Sequence, residues 1–314
     1  MRTWALPLLR CVRCGAGGLE CDSESCRCSE CEAIFPVDED VANFLDRPHP
    51  TVAREIEAVA SLDSRNPETR SRILELVGDL DGGACSPEDP RLDEFPSFGE
   101  YFGAHCRVRE MLAACEPAGG SIVIELGADH CLHSGALLDA GCHVVAVDIT
   151  DHLSLAPRAE SQALCRVRAD MNRLPIADGA ANLVWATACV HHSWSLETTF
   201  REAHRVLSPG GRFVLVNEPM PALPRYLLFG LGRGFGREQR RLGINETLHP
   251  RSTWVRAARE AGFAPRLMRP ALSDGDLRSK LDEYRLPAGL APLLRSLAGP
   301  LQVSIHMVAE ARSA

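Results

Sequence analysis

Four cysteines near the start of the chain have the spacing of a metal site. They form two pairs, Cys11-x-x-Cys14 and Cys28-x-x-Cys31. Each pair directs two thiolates toward one ion, and four thiolates complete a closed tetrahedral zinc site. Cys26 could replace Cys28 in an alternative pairing. The spacing predicts a structural zinc ribbon that folds around its ion and has no open position for catalysis.

A second chemical pattern lies in the middle of the chain, where an apolar run meets a glycine turn. The run Ile122–Leu126 ends at Gly127, and a second apolar run ends at Asp148, 21 positions after that glycine. This is the layout of a nucleotide-binding βαβ unit, in which glycine lets the backbone approach the ligand and the acid binds ribose hydroxyls. The pattern predicts a nucleotide-like ligand at this turn.

Three further segments follow in a characteristic order. Asp170-Met171 precedes one apolar strand, Val190–Ser193 follows that strand, and Leu207–Gly211 precedes the next strand. Over roughly residues 100 to 311 this order resembles the class I S-adenosylmethionine (SAM)-dependent methyltransferases. The resemblance implies SAM as cofactor, with Asp148 on its ribose, Asp170 on its adenine amine and Met171 on the ring edge. The implied cofactor-binding residues are Glu125, Gly127, Asp129, Asp148, Ile149, Asp170, Met171 and Thr187.

The glycine turn departs from the family pattern, because its second and third glycine positions hold Asp129 and Cys131. Glycine at the second position leaves room for the methionine tail of the cofactor, whereas Asp129 brings a like charge toward the carboxylate of that tail. Three outcomes are open. Asp129 points away from the ligand, or a neighbour such as His130 or His133 neutralises it, or the protein binds SAM weakly or binds another ligand.

The first 45 or so residues carry a resemblance of their own. The cysteine pairs, together with Phe35-Pro-Val-Asp38 and Phe44-Leu45, resemble the zinc ribbons that activate SAM-dependent methyltransferases or are fused to them. The resemblance implies a stabilising or binding module and a possible protein partner that docks on the ribbon.

Candidate catalytic residues follow the fourth and fifth predicted strands. Methyl transfer to an oxygen or nitrogen atom is an in-line displacement that needs alignment and, for some acceptors, a base. His191 and His192 lie where the acceptor is expected, and histidine suits the role of base near neutral pH. Glu218 is a secondary candidate. Glu246 and His249 belong to a segment similar to one in related small-molecule methyltransferases and could also reach the pocket.

Two other classes of function compete with this interpretation. One is a metalloprotein, because Asp and His side chains that bind zinc or iron gather at the same predicted sheet edge. Its candidate second metal site comprises Asp129, His130, His133, His191 and His192. The other is a catalytically silent interaction module, which would not bind SAM.

Strand and helix signals alternate from residue 121 onward, which predicts an α/β fold with a doubly wound, mostly parallel sheet. The family resemblance implies seven strands. Strands are expected near 121–126, 143–147, 165–168, 182–186, 212–217, 264–269 and 302–310. Helices are expected near 52–62, 69–80, 104–115, 132–140, 152–163, 196–207 and 251–262. The predicted domains are a ribbon at 1–46, a helical linker at 47–99 and the main domain at 100–314, with a lid insertion around 220–250.

Composition narrows the possible partners. The net charge of −8 weighs against nucleic acid, and no apolar run has the length of a membrane span, so we expect a cytoplasmic protein. Thirteen cysteines without a secretion signal favour thiols and metal over disulfides. Arginines between Arg225 and Arg241 suit an anionic small-molecule acceptor. The near-absence of lysine is typical of high-GC bacteria, where such enzymes often modify secondary metabolites or glycans.

Overall fold

The computed structural model describes residues 1–83, 96–228, 236–268, 287, 289 and 304–311. The strands are β1 Leu19–Cys21, β2 Ser25–Cys28, β3 Ile34–Asp38, β4 Val41–Asn43, β5 Ile122–Leu126, β6 His143–Asp148, β7 Leu164–Arg168, β8 Ala181–Thr187, β9 Leu207–Pro219, β10 Phe263–Met268 and β11 Ser304–Ala311. The helices are α1 Pro50–Arg65, α2 Pro67–Asp81, α3 Pro96–Cys115, α4 Ser134–Asp139, α5 Leu196–Val206, α6 Leu223–Leu228, α7 Arg237–Leu242 and α8 Arg251–Glu260. Short 3-10 helices occur at Leu6–Leu8, Asp151–Leu155 and Val190–His192.

The strands form one sheet in the order β1-β2-β3-β4-β7-β6-β5-β8-β9-β11-β10. The strands β5 to β9 pair in parallel with their neighbours, and β11 runs antiparallel between β9 and β10. The strand order reverses between β5 and β8, which is the point where ligands bind in open α/β sheets, outside the carboxyl ends of the strands.

The expected number of seven strands is wrong for the sheet as a whole, which has eleven. Seven of them belong to the expected main domain, and the other four come from the ribbon. The ribbon joins the sheet because β4 pairs in parallel with β7, with Val41 opposite Arg166 and Asn43 opposite Arg168. Strand β4 thereby covers an edge of β7 that would otherwise present unpaired backbone groups.

The apolar character of the central strands follows from their burial on both faces. On β5, Ile124 and Leu126 pack into one core cluster and Val123 into another, because successive side chains point to opposite faces. The first cluster continues into the ribbon through Phe35 and Phe44. Ribbon and main sheet therefore share one continuous core.

Two helices follow the ribbon as expected, at α1 and α2. The helix expected at 152–163 is wrong, since the structure has only the 3-10 helix Asp151–Leu155 followed by turns. Pro157 explains the difference, because proline disfavours helical backbone in the residue before it and lacks an N–H group for the helix ladder. No described helix is both long and apolar enough to cross a membrane. The domain boundaries stay predictions, and residues 229–235 of the expected lid lie outside the described residues.

Candidate functional site

The four predicted zinc ligands lie together in the ribbon. The Sγ atoms of Cys11 and Cys31 are 3.6 Å apart, as are those of Cys14 and Cys28, and all four lie within 4.8 Å of one another. A tetrahedron with zinc–sulfur bonds of about 2.3 Å has edges of roughly 3.8 Å, so the four thiolates fit a single zinc ion.

Cys26 does not join this cluster, because it forms a disulfide with Cys21. The alternative pairing through Cys26 is therefore not the one that the structure adopts. The general expectation of thiols rather than disulfides is wrong for these two residues. Their side chains meet because Cys21 and Cys26 are opposite each other in the β1–β2 hairpin.

The glycine turn keeps a glycine-like backbone although two of its glycines are missing. Gly127 has φ of +62°, and Asp129 and Cys131 also have positive φ, at +47° and +58°. Left-handed backbone is uncommon outside glycine, and aspartate tolerates it better than most residues. Gly127 has a second reason to be glycine, since a Cβ there would lie 2.4 Å from the Cβ atom of Cys189.

The two acids expected to bind the nucleoside both lie at the carboxyl edge of the sheet. Asp148 accepts hydrogen bonds from the N–H of Asp129 and from the N–H and hydroxyl of Thr150, each at 2.8 Å. Asp170 accepts from the N–H of Asn172 and from Nε1 of Trp194, both at 2.8 Å. Burial raises the pKa of both carboxyls. An ionised carboxylate has about four acceptor positions, so both acids retain capacity for a further hydrogen bond.

The other expected cofactor-binding residues differ in burial and in their hydrogen-bond partners. Glu125 is buried and accepts a hydrogen bond from the hydroxyl of Ser134. Burial raises its pKa to about 8, so Glu125 is largely protonated near neutral pH. The hydroxyl of Thr187 accepts from Nε1 of Trp185 at 3.0 Å. Ile149 and Met171 are half-buried.

Asp129 lies in a chain of charged groups that the sequence did not reveal. Its carboxylate contacts Nδ1 of His130 at 2.8 Å and Nδ1 of His152 at 2.5 Å. Nε2 of His152 contacts Asp63 of α1 at 2.7 Å. Burial opposes a charge on His152, but Asp129 and Asp63 outweigh it and raise the pKa of His152 to about 9. We call Asp129, His152 and Asp63 the loop triad.

Of the three outcomes open for Asp129, the structure shows neutralisation by a neighbour. His130 was one of the expected neighbours, and His152, whose pKa is raised, is a further neighbour that was not expected. Burial also acts on Asp129, but the two histidines outweigh it and hold its pKa well below the usual range. His133 instead lies beside His105, with ring centroids 6.2 Å apart. Burial lowers the pKa of His133 to about 3, so that ring is neutral.

The two candidate catalytic histidines lie on the 3-10 helix Val190–His192, which we call the histidine turn. Glu218 is fully buried and fixes this turn. Its carboxylate accepts from the N–H groups of Cys189, Val190 and His191 at 2.9, 2.8 and 3.3 Å. It also contacts Nδ1 of His191 at 2.9 Å. These contacts make Glu218 an anchor of the turn rather than a group that faces solvent.

Glu246 and Glu55 complete the surroundings of the histidine turn. Nε2 of His191 and Nε2 of His192 each lie 3.5 Å from one oxygen of Glu246. Nδ1 of His192 lies 2.9 Å from Glu55 of α1. Burial opposes the charge on His192, but Glu55 and Glu246 outweigh it and raise its pKa. His249, the other residue expected near the pocket, packs edge-on against Trp254 with ring centroids 6.5 Å apart.

Sequence reasoning missed Glu55, Asp63 and His152. One signal was present for Glu55, which interrupts the buried face of α1 between Val52 and Ala58 at helical spacing. An acid in an apolar stripe needs a buried partner. The expected single metal site of the rival interpretation is also wrong, because its residues fall into different groups. One group holds Asp129 and His130 with His152, and the other holds His191 and His192 with Glu246.

Comparison with known proteins agrees with this fold. Residues 124–215 match a family described as a methyltransferase domain. Malonyl-[acyl-carrier protein] O-methyltransferase of Enterobacter lignolyticus is 31% identical over 86 residues, which cover 27% of this chain and 34% of that protein. The chain thus spans about a third of the length of the curated relatives that it matches first.

Two solved structures share the fold. A Haloferax volcanii complex between the Trm112 methyltransferase activator and a methyltransferase matches with a TM-score of 0.54 and 19% identity, over 75% of this chain and 98% of that one. Geranyl diphosphate C-methyltransferase from Streptomyces coelicolor matches with a TM-score of 0.51 and 17% identity, over 65% of this chain and 75% of that one. The chain therefore has a class I methyltransferase-like α/β fold.

Proposed function

We propose that this protein transfers a methyl group from SAM to an oxygen or nitrogen atom of a small molecule. The observation that carries the proposal is the pair of acids Asp148 and Asp170 at the switch point of a class I sheet. Both acids keep acceptor capacity after their internal hydrogen bonds, and ribose hydroxyls and an adenine amine are donors. The matched methyltransferase segment includes both of them.

The charges around the glycine turn are also compatible with the carboxylate of SAM. When bound, SAM supplies an activated methyl group on a sulfonium centre and carries a carboxylate near the glycine turn. His152 and His130 neutralise Asp129, so the repulsion expected from that residue is largely cancelled. We therefore assign cofactor binding to Glu125, Gly127, Asp129, Asp148, Ile149, Asp170, Met171 and Thr187.

The histidine turn is the proposed acceptor side. Since Glu218 accepts from Nδ1 of His191, the ring turns Nε2 toward Glu246. His192 has the same arrangement, with Glu55 as its anchor. We assign His191 and His192 as the residues that align the acceptor, with Glu218 positioning His191.

The charge of α7 supports an anionic acceptor. Its arginines can pair with a carboxylate or phosphate, and the curated relative from Enterobacter is named for a malonyl group carried on acyl-carrier protein. A secondary metabolite or glycan remains our proposed substrate class, and the cytoplasm the proposed location.

For the ribbon we propose a structural zinc ion on Cys11, Cys14, Cys28 and Cys31. The support is the mutual spacing of the four sulfur atoms. The ribbon then stabilises the methyltransferase domain within one chain, through the pairing of β4 with β7. Strand β1, one of the two outermost strands of the sheet, is the edge that the ribbon offers to a protein partner.

Calorimetric titration with SAM tests the proposed cofactor site. Asp148→Ala should weaken binding about ten- to a hundredfold through the loss of hydrogen bonds to the ribose. Asp151→Ala is the matched control, since Asp151 is an exposed acid just beyond the same strand, and it should bind SAM as the wild type does. Equal binding by Asp148→Ala would contradict the assignment. No binding by the wild type would favour the silent interaction module.

A further inference from the structure

The histidine turn and Glu246 form a cluster of donor atoms whose spacing suits a metal ion. Donor atoms of His191, His192 and Glu246 lie within 4.8 Å of one another. Each Nε2 atom is 3.5 Å from a different oxygen of Glu246. Three ligands arranged as a tetrahedron around an ion with bonds of about 2.1 Å would be roughly 3.4 Å apart. The observed spacing is therefore that of a site with room for an ion at its centre.

Both rings are oriented by a second carboxylate. Nδ1 of His191 faces Glu218 at 2.9 Å, and Nδ1 of His192 faces Glu55 at 2.9 Å. An ionised carboxylate only accepts hydrogen bonds, so Nδ1 of each ring carries the proton. Metal-binding histidines are almost always held in this way, by a carboxylate or carbonyl on the other ring nitrogen. The arrangement leaves Nε2 of both rings as the atom directed at Glu246.

The segment that carries Glu246 is fixed to the histidine turn. The side-chain amide of Asn245 donates to the carbonyls of His192 and Ser193 at 2.7 and 3.1 Å. The N–H of Thr247 donates to the carbonyl of His191 at 3.2 Å. The backbone of Glu246 is thus fixed on both sides, so its side chain starts from a fixed position beside the two rings.

Gly236 supports the same conclusion, since a Cβ there would lie 2.3 Å from Cβ of Glu246. Its φ of +55° also favours glycine. The backbone therefore comes close to Glu246 at a residue without a side chain, which leaves this carboxylate its space beside the two rings.

The charges of the cluster call for a cation. Three carboxylates, Glu55, Glu218 and Glu246, surround two imidazoles. Oε2 of Glu246 is buried and makes no hydrogen bond with the described residues. A buried carboxylate oxygen without a partner is costly. A divalent cation with two neutral imidazoles balances these charges as well as two protonated rings would, and it also supplies the missing partner.

We propose that His191, His192 and Glu246 bind a divalent transition-metal cation, separate from the zinc of the ribbon. Two imidazoles and one carboxylate are a ligand set used for zinc and other first-row metals, with positions left open for a further ligand. The identity of the acceptor rests on the proposed function. If that function holds, the acceptor is a molecule whose carboxylate or hydroxyl oxygen binds the metal ion at an open position.

Metal counting on the untagged full-length chain tests the site. The protein is equilibrated with excess Zn²⁺, passed through a desalting column and measured by elemental analysis. The wild type should hold two zinc ions per chain, one in the ribbon and one at the histidine turn. Glu246→Gln, which keeps the size of the side chain, should hold one. Glu238→Gln, an exposed glutamate on α7 of the same insertion, should hold two.

Zinc titration of protein already loaded at the ribbon gives the second measurement. Glu55→Gln leaves all three ligands in place and should weaken the second zinc about ten- to a hundredfold, as loss of an orienting carboxylate does. This variant also serves if Glu246→Gln does not fold. One zinc ion in the saturated wild type, or an unchanged second affinity in both variants, would overturn the proposal.

Calorimetry with SAM separates this inference from the proposed function. Glu246→Gln should bind SAM as the wild type does, because Glu246 is placed on the acceptor side. A wild-type chain with two zinc ions and no SAM binding would retain the metal site and reject the methyltransferase. A chain that binds SAM and holds one zinc ion would retain the methyltransferase and reject the second metal site.

Discussion

The loop triad and the histidine turn use the same residue types at the same edge of the sheet but arrange them differently. In the loop triad, both nitrogens of His152 contact acids directly, at 2.5 Å to Asp129 and 2.7 Å to Asp63. At the histidine turn, each ring has one close acid, and the two rings share Glu246 at 3.5 Å. In the loop triad, direct contacts with acids engage both ring nitrogens of His152. At the histidine turn, the longer distances to Glu246 leave space for a metal cation.

This difference shows why lists of His, Asp and Glu do not identify a metal site. His152 has no ring nitrogen left for a metal, because Asp129 and Asp63 occupy both. The rings of the histidine turn each keep one nitrogen directed at a shared carboxylate. The spacing between donor atoms, and not the residue types, separates an ion triad from a metal site.

The ribbon gives the reference for any metal count at the histidine turn, and loss of its proposed zinc ion should have the largest effect of all the changes considered. Cys11→Ser with Cys28→Ser should remove one zinc ion and unfold the ribbon, since structural zinc contributes on the order of 10 kcal/mol. Elemental analysis and limited proteolysis measure the loss. Cys106→Ser, at an exposed cysteine outside the cluster, should keep the zinc content of the wild type. An unchanged zinc count in the double variant would mean that the ribbon cysteines do not hold the zinc ion that was counted.

The loop triad should show itself in the pH dependence of stability. The pKa of His152 is about 9 in the folded protein and 6.5 when unperturbed. Its stabilisation is therefore complete below pH 6.5 and is lost as pH rises through 9. This shift corresponds to roughly 3 kcal/mol. The free energy of unfolding of the wild type, minus that of His152→Gln, should fall by about this amount between about pH 6 and about pH 10.

Two controls sharpen this measurement. Burial lowers the pKa of His249 below its usual 6.5, so the contribution of His249 to stability increases rather than falls as pH rises through 6.5. His249→Gln should therefore show no such fall. His152→Gln should also leave the metal count unchanged if the triad is closed around a proton. Loss of a metal ion in His152→Gln would mean that the triad, too, holds a cation.

A smaller effect is expected where the two regions meet, at Gly127 and Cys189. Gly127→Ala introduces a Cβ that would clash with Cys189, whereas a Cβ at Gly120 meets nothing within 4 Å although its φ is also positive, at +81°. Both variants share a backbone strain of about 1–2 kcal/mol. Chemical denaturation should find Gly127→Ala less stable than Gly120→Ala by about 1–3 kcal/mol. Adding Cys189→Gly should reduce that gap, and equal stability of the single variants would contradict the contact.

The parts of this molecule that depend on local spacing could be predicted from the sequence. The four ribbon cysteines lie within one short segment, and each strand-to-glycine turn is contained in a few residues. The addition of the ribbon to the sheet could not be predicted, because β4 has only three residues and pairs through its backbone. Edge pairing of this kind leaves almost no pattern in the side chains.

The missed site residues were missed for a different reason. Asp63 and His152 are 89 positions apart, and Glu55 and His192 are 137 apart. Such pairs exist only once α1 packs across the sheet edge, and no periodicity records which acid meets which histidine. His152 was assigned to a helix that Pro157 prevents, so its true direction could not be inferred from helical spacing.

Helix α1 contributes an acid to each of the two regions, Asp63 to the loop triad and Glu55 to the histidine turn. Eight residues of helix separate these acids by about 12 Å, so one rigid element spans the proposed cofactor and acceptor sides. If a ligand on one side shifts α1, it changes the affinity for a ligand on the other side, and the second ligand changes the affinity for the first by the same factor. On the proposed function, this single helix is then a route for thermodynamic linkage between the two sides.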